Sequence, residues 1–133
     1  MISEEQKKIL VIDDDPSIQE ILRIILERNG YKVYRAIDGE EAVNQFVDIK
    51  PDLVISDISM PKGDGFNVAI VIRSKEEDDK RIPILLISAF YDEISNRENA
   101  ERCGADSFLP KPFTREQLLN AVGELLDVNH GKP

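Results

Sequence analysis

Short apolar runs rich in β-branched residues alternate along the chain with longer stretches in which apolar residues recur every three or four positions. The runs are Ile9-Leu-Val-Ile12, Tyr31-Lys-Val-Tyr-Arg-Ala36, Leu53-Val-Ile-Ser56, Ile84-Leu-Leu-Ile87 and Ser107-Phe-Leu109, and they read as five strands. Three are continuously apolar, as strands covered on both faces of a parallel sheet must be. The second sets Val33 and Tyr34 against Lys32 and Arg35, which suits an edge strand.

The stretches between them have helical period. Ile18, Ile21, Leu22, Ile25 and Leu26 form one apolar face, with Pro16 fitting the first turn and Gly30 the stop. Asp38 can cap a second helix bearing Ala42, Val43, Phe46 and Val47, which Pro51 ends. A third starts near Gly65 and carries Val68, Ala69, Val71 and Ile72. A fourth, from about Asp92 to Cys103, offers only Ile94, Ala100 and Cys103 as anchors, so it is expected to dock weakly. The last opens on Thr114, with Gln117 at the capping-box position, and stacks Leu118, Leu119, Val122, Leu125 and Leu126. Strands and helices alternating through short connections predict an α/β fold: a single, doubly wound, parallel five-stranded sheet. It is expected over residues 6–127, with a polar tail at 128–133.

Length and charge narrow the function. A chain of 133 residues suits one domain. Its longest apolar run, Val68 to Ile72, is far short of the roughly 20 residues of a membrane span. The N-terminus mixes acid and base without an apolar h-region, so a secretory signal is excluded and an intracellular, cytoplasmic protein is expected. A net charge of −9 without a basic patch argues against direct binding of nucleic acid or of a membrane surface. The single cysteine, Cys103, and single histidine, His130, cannot make an intramolecular disulfide or a Cys/His zinc site. Chemistry must rest on carboxylates, hydroxyls and lysine.

Ligands of open parallel sheets bind outside the carboxyl ends of the strands. Here the first strand runs into Asp13-Asp14-Asp15, the third into Ser56-Asp57, the fourth into Ser88-Ala89 and the fifth into Pro110-Lys111-Pro112. Carboxylates packed together either rise in pKa or are neutralised by a cation. An all-oxygen set favours a hard divalent ion, Mg²⁺ before Zn²⁺.

In this order the residues resemble the receiver domain of two-component response regulators. The resemblance runs from Lys8-Ile-Leu-Val-Ile-Asp-Asp-Asp-Pro16 through Pro51-Asp-Leu-Val-Ile-Ser-Asp-Ile-Ser-Met-Pro-Lys-Gly-Asp-Gly65 and Pro83-Ile-Leu-Leu-Ile-Ser-Ala89 to Gly104-Ala-Asp-Ser-Phe-Leu-Pro-Lys-Pro-Phe113. It implies a flavodoxin-like fold with strand order 2-1-3-4-5. It makes Asp57 the phosphoacceptor, Asp14 a direct Mg²⁺ ligand, Asp13 a ligand acting mainly through water, and the backbone carbonyl of Ser59 a further ligand. Ser88 would hydrogen-bond the phosphoryl group, Lys111 would pair with one of its oxygens, and Phe108 would be the aromatic switch residue. A cis peptide at Lys111-Pro112 is implied as well. The donor would be a phosphohistidine on a sensor histidine kinase or a histidine phosphotransfer protein. A downstream protein would read the face made by the fourth helix, fifth strand and last helix. Such a domain catalyses its own phosphoryl transfer; Phe90 and Ser59, flanking the path of attacking water, point to slow self-dephosphorylation.

Each feature alone has an ordinary explanation: Asp15 as a helix cap, Asp57 as a strand-end acid, Lys111 as a surface lysine, Ser88 as a strand-end hydroxyl, Phe108 as core, and Gly63 and Gly65 as turn residues. A rival from another class is a haloacid-dehalogenase-type phosphatase using Asp13 of Asp13-x-Asp15 as nucleophile. It needs a second acidic pair at a later strand end, where this chain has Ser88-Ala89. A calcium loop starting at Asp13 would need Glu where Ile24 stands. A receiver-like interaction module that is never phosphorylated would have no use for the complete acid, hydroxyl and lysine set.

Overall fold

The structure is a computed structural model that describes residues 6–58, 65–77, 81–89, 98 and 102–130. Five parallel strands, β1 (Lys8–Ile12), β2 (Lys32–Ala36), β3 (Leu53–Asp57), β4 (Ile84–Ala89) and β5 (Ser107–Lys111), form one sheet in the order β2-β1-β3-β4-β5. Around it lie α1 (Pro16–Arg28), α2 (Gly39–Ile49), α3 (Gly65–Lys75) and α4 (Arg115–His130). The helix expected over Asp92 to Cys103 falls outside the described residues, apart from Glu98, Arg102 and the buried Cys103.

Strand alternation builds two cores. Ile9, Val11, Leu53, Ile55, Leu85 and Ile87 meet Leu22 and Leu26 of α1 and Leu118, Val122 and Leu126 of α4. Leu10, Ile12, Val54, Ile84 and Leu86 project to the other face, against Ala42 and Phe46 of α2 and Val68, Ala69 and Ile72 of α3. The three central strands are therefore covered twice, which is why their sequences lack polar alternation. β2 and β5 are the edges. β5 runs two residues further than expected because an edge strand tolerates the missing N–H of Pro110.

The caps follow the sequence closely. Asp15 accepts a hydrogen bond from Ser17 N, Asp38 accepts one from Glu41 N, and Thr114 and Gln117 bond each other's backbone N–H reciprocally. Two expectations need correction. Ile21 is 51% exposed, because the buried stripe of α1 is Gln19, Leu22 and Leu26, turned by one residue from the apolar face read in the sequence. Val47 and Val71 are exposed as well, at 51% and 38%, at the margins of α2 and α3. The last helix, α4, continues through His130.

Candidate functional site

The parallel pairing of β1 with β3 puts Ile12 beside Ser56, so the next residues, Asp13 and Asp57, emerge side by side. Since β2 lies on one side of β1 and β3 on the other, the connections leaving β1 and β3 diverge to opposite faces of the sheet and open a cleft between them. Asp13, Asp14 and Asp57 converge there, with a carboxylate oxygen of each within 4.8 Å of the others. Asp13 and Asp57 are buried and Asp14 is exposed.

Asp13 is held at several points. Its N–H donates to Ala36 O at 3.1 Å, and its Oδ1 accepts from Asp15 N at 2.9 Å. Burial pushes its carboxyl up to about 6, against the lowering pull of the Asp15 N–H. The charges of Asp57 and Asp14 raise it further, while that of Lys111 lowers it. Below about pH 6 a proton on Asp13 relieves part of this charge, and above it a bound cation would do so. The donor set is all oxygen and partly solvent-facing, which fits Mg²⁺, an ion bound through one or two carboxylates with water completing its shell.

Pairing of β4 with β5 sets Ala89 against Lys111 and brings the lysine to the same rim. Its Nζ lies 3.8 Å from Asp57 Oδ1 and 4.0 Å from Asp13 Oδ2. Ser88 is buried at the end of β4, a strand that pairs with β3 through Ile87 and Asp57. Phe108, in register with Leu86, is 8% exposed and packed into the core beneath α2 and α3. The Lys111-Pro112 peptide is cis. Ser59, Phe90 and Gly63 lie outside the described residues.

Gln19 escaped the sequence reading, and Gly65, read there as a turn residue at the start of the third helix, has a packing role that the sequence did not show. Gln19 is buried within α1, and its amide donates at 2.7 Å to both Asp13 O and Ala36 O. Its spacing from Leu22 and Leu26, three and seven residues, is the signal that a polar side chain stands on the buried stripe. Gly65 opens α3 directly against the end of β3 and donates to Ile58 O at 2.8 Å. Its role is close approach of backbone to backbone.

The chain matches the family model described as the response regulator receiver domain over residues 9–123. It belongs to the response regulator receiver domain family. Among curated relatives, the response regulator MprA of Mycolicibacterium vanbaalenii is 43% identical over 119 residues, covering 90% of this chain and 50% of that protein. The chain therefore spans about half the length of the MprA proteins it matches. The chemotaxis protein CheY4 of Vibrio cholerae superposes with a TM-score of 0.85 at 30% identity, covering 91% of this chain and 99% of that one. TrrA of Thermotoga maritima, solved in complex with Mg²⁺-BeF, gives 0.79 at 38% identity, covering 90% of this chain and 99% of that one. Receiver domains are phosphorylated by histidine kinases, and this receiver domain serves phosphorylation-dependent signalling. The phosphatase alternative finds no support among these relatives.

Proposed function

We propose that Asp57 takes the phosphoryl group from a phosphohistidine of a sensor histidine kinase or a histidine phosphotransfer protein, with Mg²⁺ bound by Asp13, Asp14, Asp57 and the carbonyl of Ser59. A carboxylate oxygen of Asp57 attacks phosphorus as the phosphorus–nitrogen bond of the donor breaks. The leaving imidazole takes up a proton as it departs. Such a transfer needs charge neutralisation and alignment more than covalent assistance. Mg²⁺ would supply part of that neutralisation. Lys111 supplies the rest, and the Ser88 hydroxyl hydrogen-bonds a transferred oxygen.

The observation that carries this reading is the ammonium of Lys111, 3.8 Å from Asp57 Oδ1 and 4.0 Å from Asp13 Oδ2, on the rim where Asp13, Asp14 and Asp57 converge. A lysine ammonium beside Asp57 and a metal held by the acid cluster would set two positive charges around a phosphoryl anion there and stabilise it. TrrA, crystallised with Mg²⁺-BeF, supports the same chemistry in a relative.

Output passes through Ser88 and Phe108 to a face that includes β5 and α4, where a downstream protein docks. The domain works in the cytoplasm; among the described residues no helix is long and apolar enough to cross a membrane.

The test is ¹⁹F NMR with beryllofluoride, a mimic of the phosphoryl group. A bound signal is expected with the wild-type protein only when Mg²⁺ is present, and none with Asp57→Asn. A bound signal that persists without Mg²⁺ or in Asp57→Asn would refute the assignment.

A further inference from the structure

The carbonyl groups that end β1 and β2 face a single donor. Gln19, only 5% exposed, spends both protons of its side-chain amide on them, donating to Asp13 O and Ala36 O at 2.7 Å each. Ala36 O also accepts from Asp13 N. The Asp13 residue is thus tied down at its N–H, at its carbonyl and at one carboxylate oxygen, the last by Asp15 N. The untethered oxygen, Oδ2, is the one that faces Lys111.

An amide on the apolar stripe of a helix is costly to bury unless its polar atoms are satisfied. A residue of similar size without polarity, such as Met, would fill the same volume against Leu22. The hydrogen bonds explain why an amide is there, and they point at the turn that carries Asp13 and Asp14. Mg²⁺ tolerates little departure from octahedral geometry, so a carboxylate whose backbone is clamped binds it better than one that must be ordered on binding.

We propose that Gln19 is a positioning residue for divalent-cation binding: by clamping Asp13 O to Ala36 O it presets the Asp13-Asp14 turn in the metal-binding arrangement. The inference rests on the reading of the acidic cluster as the Mg²⁺ site. Groups that orient metal ligands without touching the ion are worth about tenfold to a hundredfold in affinity, and an effect of about tenfold is expected here.

Calorimetric titration of the metal-free protein with Mg²⁺ is the test, comparing wild type, Gln19→Met and Leu26→Val. The second variant trims a fully buried residue further along the same stripe of α1 and reports what a general loss of packing does to binding. The Kd for Mg²⁺ is expected to rise about tenfold in Gln19→Met and to stay unchanged in Leu26→Val. Equal weakening in both variants, or a wild-type Kd in Gln19→Met, would overturn the role of Gln19. Absence of Mg²⁺ binding to the wild type would instead overturn the metal site itself, and the inference with it. Should Gln19→Met not fold, the wild-type protein answers by NMR. The two Gln19 Nε2 protons are expected to exchange slowly with water and to shift when Mg²⁺ is added. Protons that exchange freely and ignore Mg²⁺ would refute the clamp.

Discussion

Gly65 packs so tightly on Asp57 that a Cβ at Gly65 would stand 2.4 Å from the Asp57 carbonyl oxygen and 2.9 Å from the Cα of Ile58. Both neighbours are backbone at the end of a central strand, so neither can step aside as a flexible side chain could. The first residue of α3 is therefore held to glycine by space, and the strand end that carries the phosphoacceptor is braced by the helix that follows it.

Gly65→Ala is accordingly expected to destabilise the fold by about 1–3 kcal/mol, the usual cost of overpacking, and to weaken beryllofluoride binding with it. Gly123 is the matched control, since a Cβ there meets nothing within 4 Å in the middle of α4. Gly123→Ala should stabilise by about 1 kcal/mol through helix propensity alone. Urea unfolding of the two variants distinguishes them by sign.

Much of this was legible in the sequence because central strands and caps are written locally. Continuous apolar runs mark β1, β3 and β4, and Asp15, Asp38 and Thr114 each cap the helix that their positions suggest. The convergence of Asp13, Asp14, Asp57 and Lys111 on one rim was legible too, since it follows from strand ends. Gln19 was not, because a hydropathy pattern scores polarity and cannot see that two carbonyls wait beside the amide. For the same reason Ile21 was assigned to the core when the true stripe lies one residue over. The need for Gly65 was also hidden, since a distance between backbones of different elements leaves no trace in local composition.

The pH dependence of metal binding has a definite sign. Asp13 is pushed up to about 6, so in the metal-free protein its protonation favours the folded state. That contribution is complete below the ordinary value of 3.8 and is lost as pH rises through about 6. Mg²⁺ competes for the same carboxylate and needs it ionised. The gain in Tm on adding Mg²⁺ should therefore be larger at pH 8 than at pH 5, and smaller in Asp14→Asn than in wild type at pH 8. Equal gains at both pH values, or an undiminished gain in the variant, would speak against the cluster as the metal site.

At the opposite end of the sheet, Arg73 joins α3 to the start of β4 and the turn before β5. Its guanidinium donates to Gly104 O, Ile82 O, Glu76 and Asp106, and Asp106 in turn accepts from Ile84 N and Arg81. Arg73 is largely buried, whereas the Arg81 side chain is 56% exposed. Arg73→Ala should cost about 3 kcal/mol, as breaking a buried ion pair does, and Arg81→Ala about 0.5 kcal/mol. Chemical denaturation of the two variants measures the contrast; similar losses would mean that burial does not set the strength of this cluster.

The central claim is that Asp57 is the nucleophile, and covalent labelling tests it most directly. The protein is incubated with a small acyl-phosphate donor and Mg²⁺, its intact mass is measured, and the labelled residue is located after borohydride reduction, which converts an aspartyl phosphate to homoserine. A gain of one phosphoryl group, mapped to Asp57, dependent on Mg²⁺ and absent from Asp57→Asn, is the expected result. A label on Asp13 that survives Asp57→Asn would contradict the account and turn the site into that of a phosphatase-type nucleophile.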